Sequence, residues 1–187
     1  MIFNSYSRLE GKHAVLSASK YHWINYDLDK MERVFTSLQA AAEGSAIHDL
    51  AAKLIRHRVK LAANGSTLSM YVNDAIGYKM HPEQILYYSD NAFGTADAIQ
   101  FRRNKLRIHD LKTGSTKTSE WQLIVYAAYF CLEYNMRPHD IQIELRIYQN
   151  DEVQIWDDID PDIYVRVMDK IKMFDARINE LRLEALS

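Results

Sequence analysis

One cysteine, three prolines and six glycines among 187 residues set the first limits on this chain. A lone thiol, Cys131, makes no internal disulfide, and without a second cysteine a Cys-ligated zinc or iron–sulfur site is excluded. Cys131 lies inside the longest apolar stretch, Leu123 to Leu132, where a buried free thiol is the ordinary reading. That stretch is about half of what a bilayer crossing needs. The opening residues, Met1-Ile2-Phe3-Asn4-Ser5, lack the basic-then-apolar order of a signal peptide. The scarcity of Gly and Pro, with 48% apolar and 26% charged residues, excludes a disordered or fibrous chain. The expectation is a soluble protein of a reducing compartment, the cytoplasm, with no membrane partner.

The length suits a single domain over residues 1–187, large enough to bury about 70% of the unfolded surface. The net charge of −2 hides an asymmetry. Residues 1–120 hold 16 Lys and Arg against 12 Asp and Glu, whereas residues 121–187 hold 7 against 13. Basic residues gather at Lys53-Arg56-Arg58-Lys60 and at Arg102-Arg103-Lys105-Arg107, and Asp151 to Asp162 is acidic. Such polarity lets one face meet an anionic polymer, although a charge run is more often a solvated face.

No repeat, low-complexity tract or linker interrupts the chain. Apolar residues at helical spacing run from about Asp29 to Ala63, and Gly44 is expected to break them into two helices. A short helix is expected over Leu68 to Ile76, ending at Gly77. From Gln84 the period changes. Gln84–Ser89, Gly94–Phe101 and Lys105–Leu111 read as a three-stranded meander, with Arg103-Asn104 as the second turn. A polar loop, Thr113 to Ser119, leads to a helix over Glu120–Asn135. Two more strands follow, around Ile141–Ile147 and Val153–Trp156. Asp160-Pro161 opens a C-terminal helix to about residue 186 with one apolar stripe: Ile163, Val167, Ile171, Phe174, Ile178 and Leu181. The parts are a helical N-terminal region to about residue 80, a core over about 81–158, and the final helix. The fold class is α/β: three layers, a small mixed sheet flanked by helices.

Chemistry concentrates in Gly94-Thr95-Ala96-Asp97 and Asp110-Leu111-Lys112, with Gln122 and Tyr126 beyond. Side chains two apart in a strand share a face, so Asp110 and Lys112 point the same way as Leu106 and Ile108. Charges at the end of an apolar strand face must be paired, solvated or metal-bound. A symmetrical hairpin about Arg103-Asn104 sets Asp97 nearly opposite Asp110. Two carboxylates so placed repel unless a cation lies between them, and their oxygens suit a hard ion such as Mg²⁺ or Mn²⁺. An ammonium at Lys112 can orient a water or stabilise charge on a phosphoryl oxygen. Gln122 and Tyr126, four apart on one helix face, can hold ligands or substrate.

Gly94-x-x-Asp97, Asp110-x-Lys112 and Gln122-x-x-x-Tyr126, preceded by Gly44-x-x-x-His48, resemble the ordered motifs of the PD-(D/E)XK nuclease superfamily in its RecB-like and lambda-exonuclease-like branch. The likeness covers roughly residues 15–135 and is closest to compact phage- and prophage-encoded members, with Ser17-Ala18-Ser19 standing before the helix of the first motif. It implies a restriction-endonuclease-like core, with His48, Asp97, Asp110 and the Leu111 carbonyl as metal ligands and Lys112 positioning the attacking water. Glu43 or Glu83 would be a further carboxylate. Asp110 stands where many relatives have Glu, one methylene longer. Gly114-Ser115-Thr116-Lys117-Thr118 resembles part of a phosphate-binding loop but lacks the second glycine before the lysine, so no ATPase is implied.

The function implied is a Mg²⁺-dependent deoxyribonuclease, an exonuclease of recombination or repair in a bacterial or phage-infected cytoplasm, with Mn²⁺ as a substitute ion. DNA is its partner. The branch also brings a ring-shaped homo-oligomer and a separate single-strand-annealing or helicase protein, neither of which these residues require. The alternatives are a non-catalytic DNA-binding or assembly module that keeps the fold, and a structure-specific endonuclease. The segments at 53–60 and 102–107 are candidates for the phosphate track. The aromatic residues read mainly as core, Trp121 being the one to test for base stacking.

Overall fold

A computed structural model describes residues 14–116 and 118–185. The chain divides into two compact units, Met1–Glu43 and Gly44–Ser187. The described part of the first holds a 3-10 segment, Ala18–Asn25, and the beginning of helix α1 (Leu28–His57). The Trp23 indole donates to the Ser17 carbonyl at 2.9 Å, and the Asp27 carboxylate accepts from the Lys30 amide at 2.7 Å, capping the helix start.

The second unit begins at Gly44 and carries the rest of the fold. Gly44 does not break α1, contrary to expectation; the helix runs through it and buries it. A helix-interior glycine costs about 1 kcal/mol relative to alanine, and here it permits a close approach: a Cβ at Gly44 would lie 2.8 Å from Thr113 Oγ1. Ala51, Ala52 and Ile55 continue the buried stripe of α1. Helix α2 (Thr67–Tyr78) starts at Ser66, whose hydroxyl accepts from the Ser69 amide. It runs past Gly77 and ends on Lys79 at φ 59°.

Five strands follow the expected order: β1 (His81–Ser89), β2 (Ala92–Arg102), β3 (Lys105–Leu111), then, after helix α3 (Trp121–Glu133), β4 (Gln142–Gln149) and β5 (Glu152–Trp156). They form one sheet in the order β1-β2-β3-β4-β5. The β3–β4 pair is parallel and the other neighbours antiparallel, because a helix long enough to cross the sheet separates β3 from β4. Helix α4 (Pro161–Glu184) closes the chain, capped by the Asp160 carboxylate on the Asp162 amide at 3.0 Å.

The sheet is covered on both faces, giving three layers. Leu86, Ala96, Leu106, Ile108, Leu145 and Ile147 pack with α3 residues such as Leu123 and Ala127 and with Tyr164 of α4. On the other face Ala98, Leu111 and Tyr148 meet Ala51 and Ile55 of α1 and Tyr71, Val72 and Ala75 of α2. Cys131 is buried in the first core, and burial pushes its thiol up to about 12.

Only the first turns of α4 use the expected apolar stripe. Ile163 and Val167 pack, beside a buried Tyr164 that the stripe does not include, whereas Phe174, Ile178 and Leu181 are exposed. Among the described residues no helix is long and apolar enough to cross a membrane.

Candidate metal centre

The site forms where β2 and β3 lie side by side and α1 crosses them. Ala98 pairs with His109 and Ile99 with Ile108, so Asp97 and Asp110 are next in register, as counted from the Arg103-Asn104 turn. The Asp97 carboxylate reaches across, its Oδ2 accepting from the Leu111 amide at 2.8 Å. Leu111 thus joins the site through its N–H. His48 Nδ1 is 3.4 Å from the same Asp97 oxygen. Gly44, one helical turn before His48, is what lets this part of α1 lie against the end of β3.

A third side chain completes the group. His48, Glu83 and Asp97 each bring one ligand atom to within 4.8 Å of the other two. Pro82 pairs with Ala98 and Gln84 with Ala96, so Glu83 stands across from Asp97. It does so at φ 53°, a left-handed conformation that a residue with a Cβ adopts in a strand only under constraint. The distortion is matched on β2: Ala96 packs into the α3-side core and Ala98 into the α2-side core, although residues two apart in a regular strand share a face. Asp97 sits where the alternation inverts. Glu43 is exposed and Glu83 half-buried; only Glu83 belongs to this group.

Asp110 lies outside the triad of ligand atoms and is 2% exposed. Its Oδ2 is 3.0 Å from Lys112 Nζ in an ion pair without hydrogen-bond geometry, and its Oδ1 accepts from Lys112 at 3.3 Å. The ammonium also donates to Gln122 Oε1 at 2.8 Å, and Gln122 Nε2 donates to the Tyr126 phenol at 3.1 Å. The Tyr126 ring in turn lies against Gly94, where a Cβ would come within 2.9 Å of Cε1. Both motif glycines therefore have a steric reason: one admits His48, the other admits Tyr126.

The electrostatics are those of a cluster short of positive charge. Burial and then Asp97 push the Asp110 carboxyl up to about 6, against the pull of Lys112 and His48. Burial and then Asp97 also raise Glu83. The hydrogen bond to Asp97 raises His48 in spite of desolvation. Carboxylates held together at such cost, with an imidazole beside them, fit a hard divalent cation of the Mg²⁺ or Mn²⁺ kind. The buried Asp110 Oδ2, which meets Lys112 through charge but accepts no hydrogen bond, keeps a lone pair that such an ion could use.

Neighbouring groups have other tasks. His109, adjacent to Asp110, turns to the α2 side, where the Tyr148 hydroxyl is 3.2 Å from its Nδ1 and itself donates to Asp74 at 2.7 Å. His109 Nδ1 is therefore the donor of that pair, and burial drives its pKa down to about 3. The expected phosphate track at 102–107 is partly spent inside the fold. Lys105 Nζ and Arg107 Nε bind the Glu144 carboxylate at 2.6 and 3.1 Å, and the Arg107 guanidinium lies over the Tyr78 ring. Gln149 holds the loop after Lys112, donating to the carbonyls of Gly114 and Thr116; Lys117 lies outside the described residues. Trp121 is 54% exposed at the start of α3.

Glu83 is the member of the site that counting along the sequence misplaces. From the Asp90-Asn91 turn, where Ser89 pairs with Ala92, regular pairing would set Gln84 opposite Asp97. A register shift between Tyr87 and Ser89 brings Glu83 there instead. Comparison with protein-family models, curated proteins and solved structures finds no match for this chain.

Proposed function

We propose that the protein is a divalent-metal-dependent deoxyribonuclease of the PD-(D/E)XK kind, with an exonuclease action on linear DNA. The observation that carries this reading is the meeting of His48, Glu83 and Asp97 within 4.8 Å, next to a buried Asp110 held 3.0 Å from Lys112.

His48, Glu83, Asp97 and Asp110 are the residues that would hold Mg²⁺, which when bound supplies Lewis acidity and a more acidic water. The other roles fall to the chain itself. Asp110 and the Gln122 amide fix the Lys112 ammonium, whose N–H groups can orient the attacking water by hydrogen bonding and stabilise charge developing on a phosphoryl oxygen. Gln122, bonded to both Lys112 and Tyr126, positions the ammonium. Water attacks phosphorus in line and gives up a proton to solvent, and the bond to the departing 3′ oxygen breaks as that oxygen takes up a proton, giving 5′-phosphate and 3′-hydroxyl ends.

The test is digestion of end-labelled linear duplex, single strand and covalently closed circle with Mg²⁺ or Mn²⁺. The expected result is loss of linear DNA, a spared circle and an inactive Lys112→Ala. Cutting of the circle would favour the endonuclease alternative. If every substrate stays intact with both ions, the enzymatic reading is wrong and a non-catalytic DNA-binding module takes its place.

A further inference from the structure

The tip of the β1–β2 hairpin carries an apolar surface that the fold leaves open. Ile85, Tyr87 and Phe93 are 55%, 45% and 58% exposed. The Tyr87 and Phe93 residues pair across the strands, and their rings lie 27° from parallel with centroids 6.5 Å apart. Exposed apolar groups scattered singly need no explanation, but a contiguous group does.

Its position gives the explanation. Gly94 and Ala96 face α3, so Phe93 and Thr95 face the other way, in line with Asp97 before the alternation inverts. Leu86 likewise faces α3, which turns Ile85 and Tyr87 to the side of Phe93. From Phe93 to Asp97 is four residues, about 13 Å at the rise of a strand. A short length of nucleic acid strand spans both. The residues His81 to Phe101 include no lysine or arginine, so the hairpin offers no cation to a phosphate backbone. It offers flat aromatic faces, which match nucleobases, and away from a duplex end unpaired bases alone expose theirs.

We infer that Tyr87 and Phe93 form a stacking platform for unpaired nucleobases of the strand whose phosphodiester enters the His48–Glu83–Asp97 cluster. This rests on the nuclease reading and narrows its substrate to single strands or frayed ends.

The experiment measures binding of short fluorescent single strands and blunt duplexes by anisotropy in a Lys112→Ala background, together with KM for cleavage by the otherwise intact enzyme. Phe93→Ala should weaken single-strand binding about tenfold, as expected for loss of one base–aromatic stack, and raise KM for single strands. Phe93→Trp should retain both, and duplex binding should change far less. Phe174→Ala, which removes an equally exposed ring on α4, should change neither. Circular dichroism melts of the variants should stay within about 4 °C of the parent, since these side chains lie outside the cores and Phe93→Ala removes only a cross-strand pair. If the parent cuts linear DNA and Phe93→Ala binds and cuts as the parent does, the platform is refuted and the nuclease reading stands. A fall in molecular mass on Phe93→Ala would make the surface an interface between copies, which also refutes it. If the parent neither binds nor cuts nucleic acid, the nuclease reading fails first and the platform with it.

Discussion

Glu83 faces Asp97 across β1 and β2, and it does so in a left-handed backbone conformation at φ 53°. Both features oppose stability. Carboxylates opposite one another in a ladder repel, and a left-handed conformation costs a residue with a Cβ about 1–2 kcal/mol. A fold that keeps both has a group in place that a cation would relieve.

Divalent ions should therefore stabilise the protein. Addition of Mn²⁺ or Mg²⁺ should raise the melting temperature, and isothermal titration should give one class of site on the triad. Glu83→Gln should abolish most of that shift. Glu83→Gly should abolish it too, while raising the metal-free melting temperature by about 2–4 °C through relief of roughly 1 kcal/mol. No metal-induced shift in the parent would refute the centre.

Asp97 and Asp110 should respond differently to removal. Asp110 has a folded pKa of about 6 against 3.8 unfolded. As pH rises from about 4 to 6 the unfolded chain loses this proton first, so stability falls over that window and stays reduced above it. Asp110→Asn should reduce the slope, with the raised Glu83 supplying the remainder, and raise the metal-free melting temperature at pH 7, measured by thermal melts from pH 4 to 7. Asp97→Ala should lower it, because the buried Leu111 amide loses its acceptor, a loss of about 1–3 kcal/mol.

Metal binding should weaken in acid. His48 binds a proton more tightly than an ordinary histidine because of Asp97, and a metal must displace that proton. Below its raised pKa, affinity should fall about tenfold per pH unit for one proton displaced, as calorimetry between pH 8 and 6 would show. Without metal the sign reverses: the His48–Asp97 pair adds stability below the unfolded pKa of 6.5, and this is lost as pH rises through the folded value.

Each motif glycine should be replaceable only together with the side chain that its missing Cβ would meet. Gly44→Ala drives a methyl to 2.8 Å from Thr113 Oγ1 and should cost about 1–3 kcal/mol as overpacking, with loss of metal affinity as His48 is displaced. Thr113→Ala in the same chain should restore most of both. Gly94→Ala should act likewise against Tyr126, with Tyr126→Leu as the rescuing change. Denaturant melts and metal titrations read both cycles.

Much of this architecture is legible in the residue pattern, and the failures have physical causes. The Asp97–Asp110 relationship follows from a tight turn and a period of two, both local. Glu83 does not, because one irregularity in the ladder moves the partner by one position and leaves no mark in the sequence. Gly44 reads as a helix break by propensity, yet its role depends on Thr113, far along the chain. Lys105 and Arg107 look like a surface for phosphate until Glu144 arrives on β4. The distal stripe of α4 has helical period, yet there the helix meets the β1–β2 turn through polar bonds of Asp175 and Asn179 to Ser89 and Asn91, and periodicity alone does not say whether a face is covered.

Cys131 has a practical bearing on all these measurements. Its thiol is enclosed by the α3-side core and held far above the pH of any ordinary buffer, so it should ignore maleimides and mild oxidants while the chain is folded. A cysteine introduced at the hairpin tip would then be the sole reactive sulfur, giving one dye per molecule and a reporter of strand passage that needs no prior removal of the native residue.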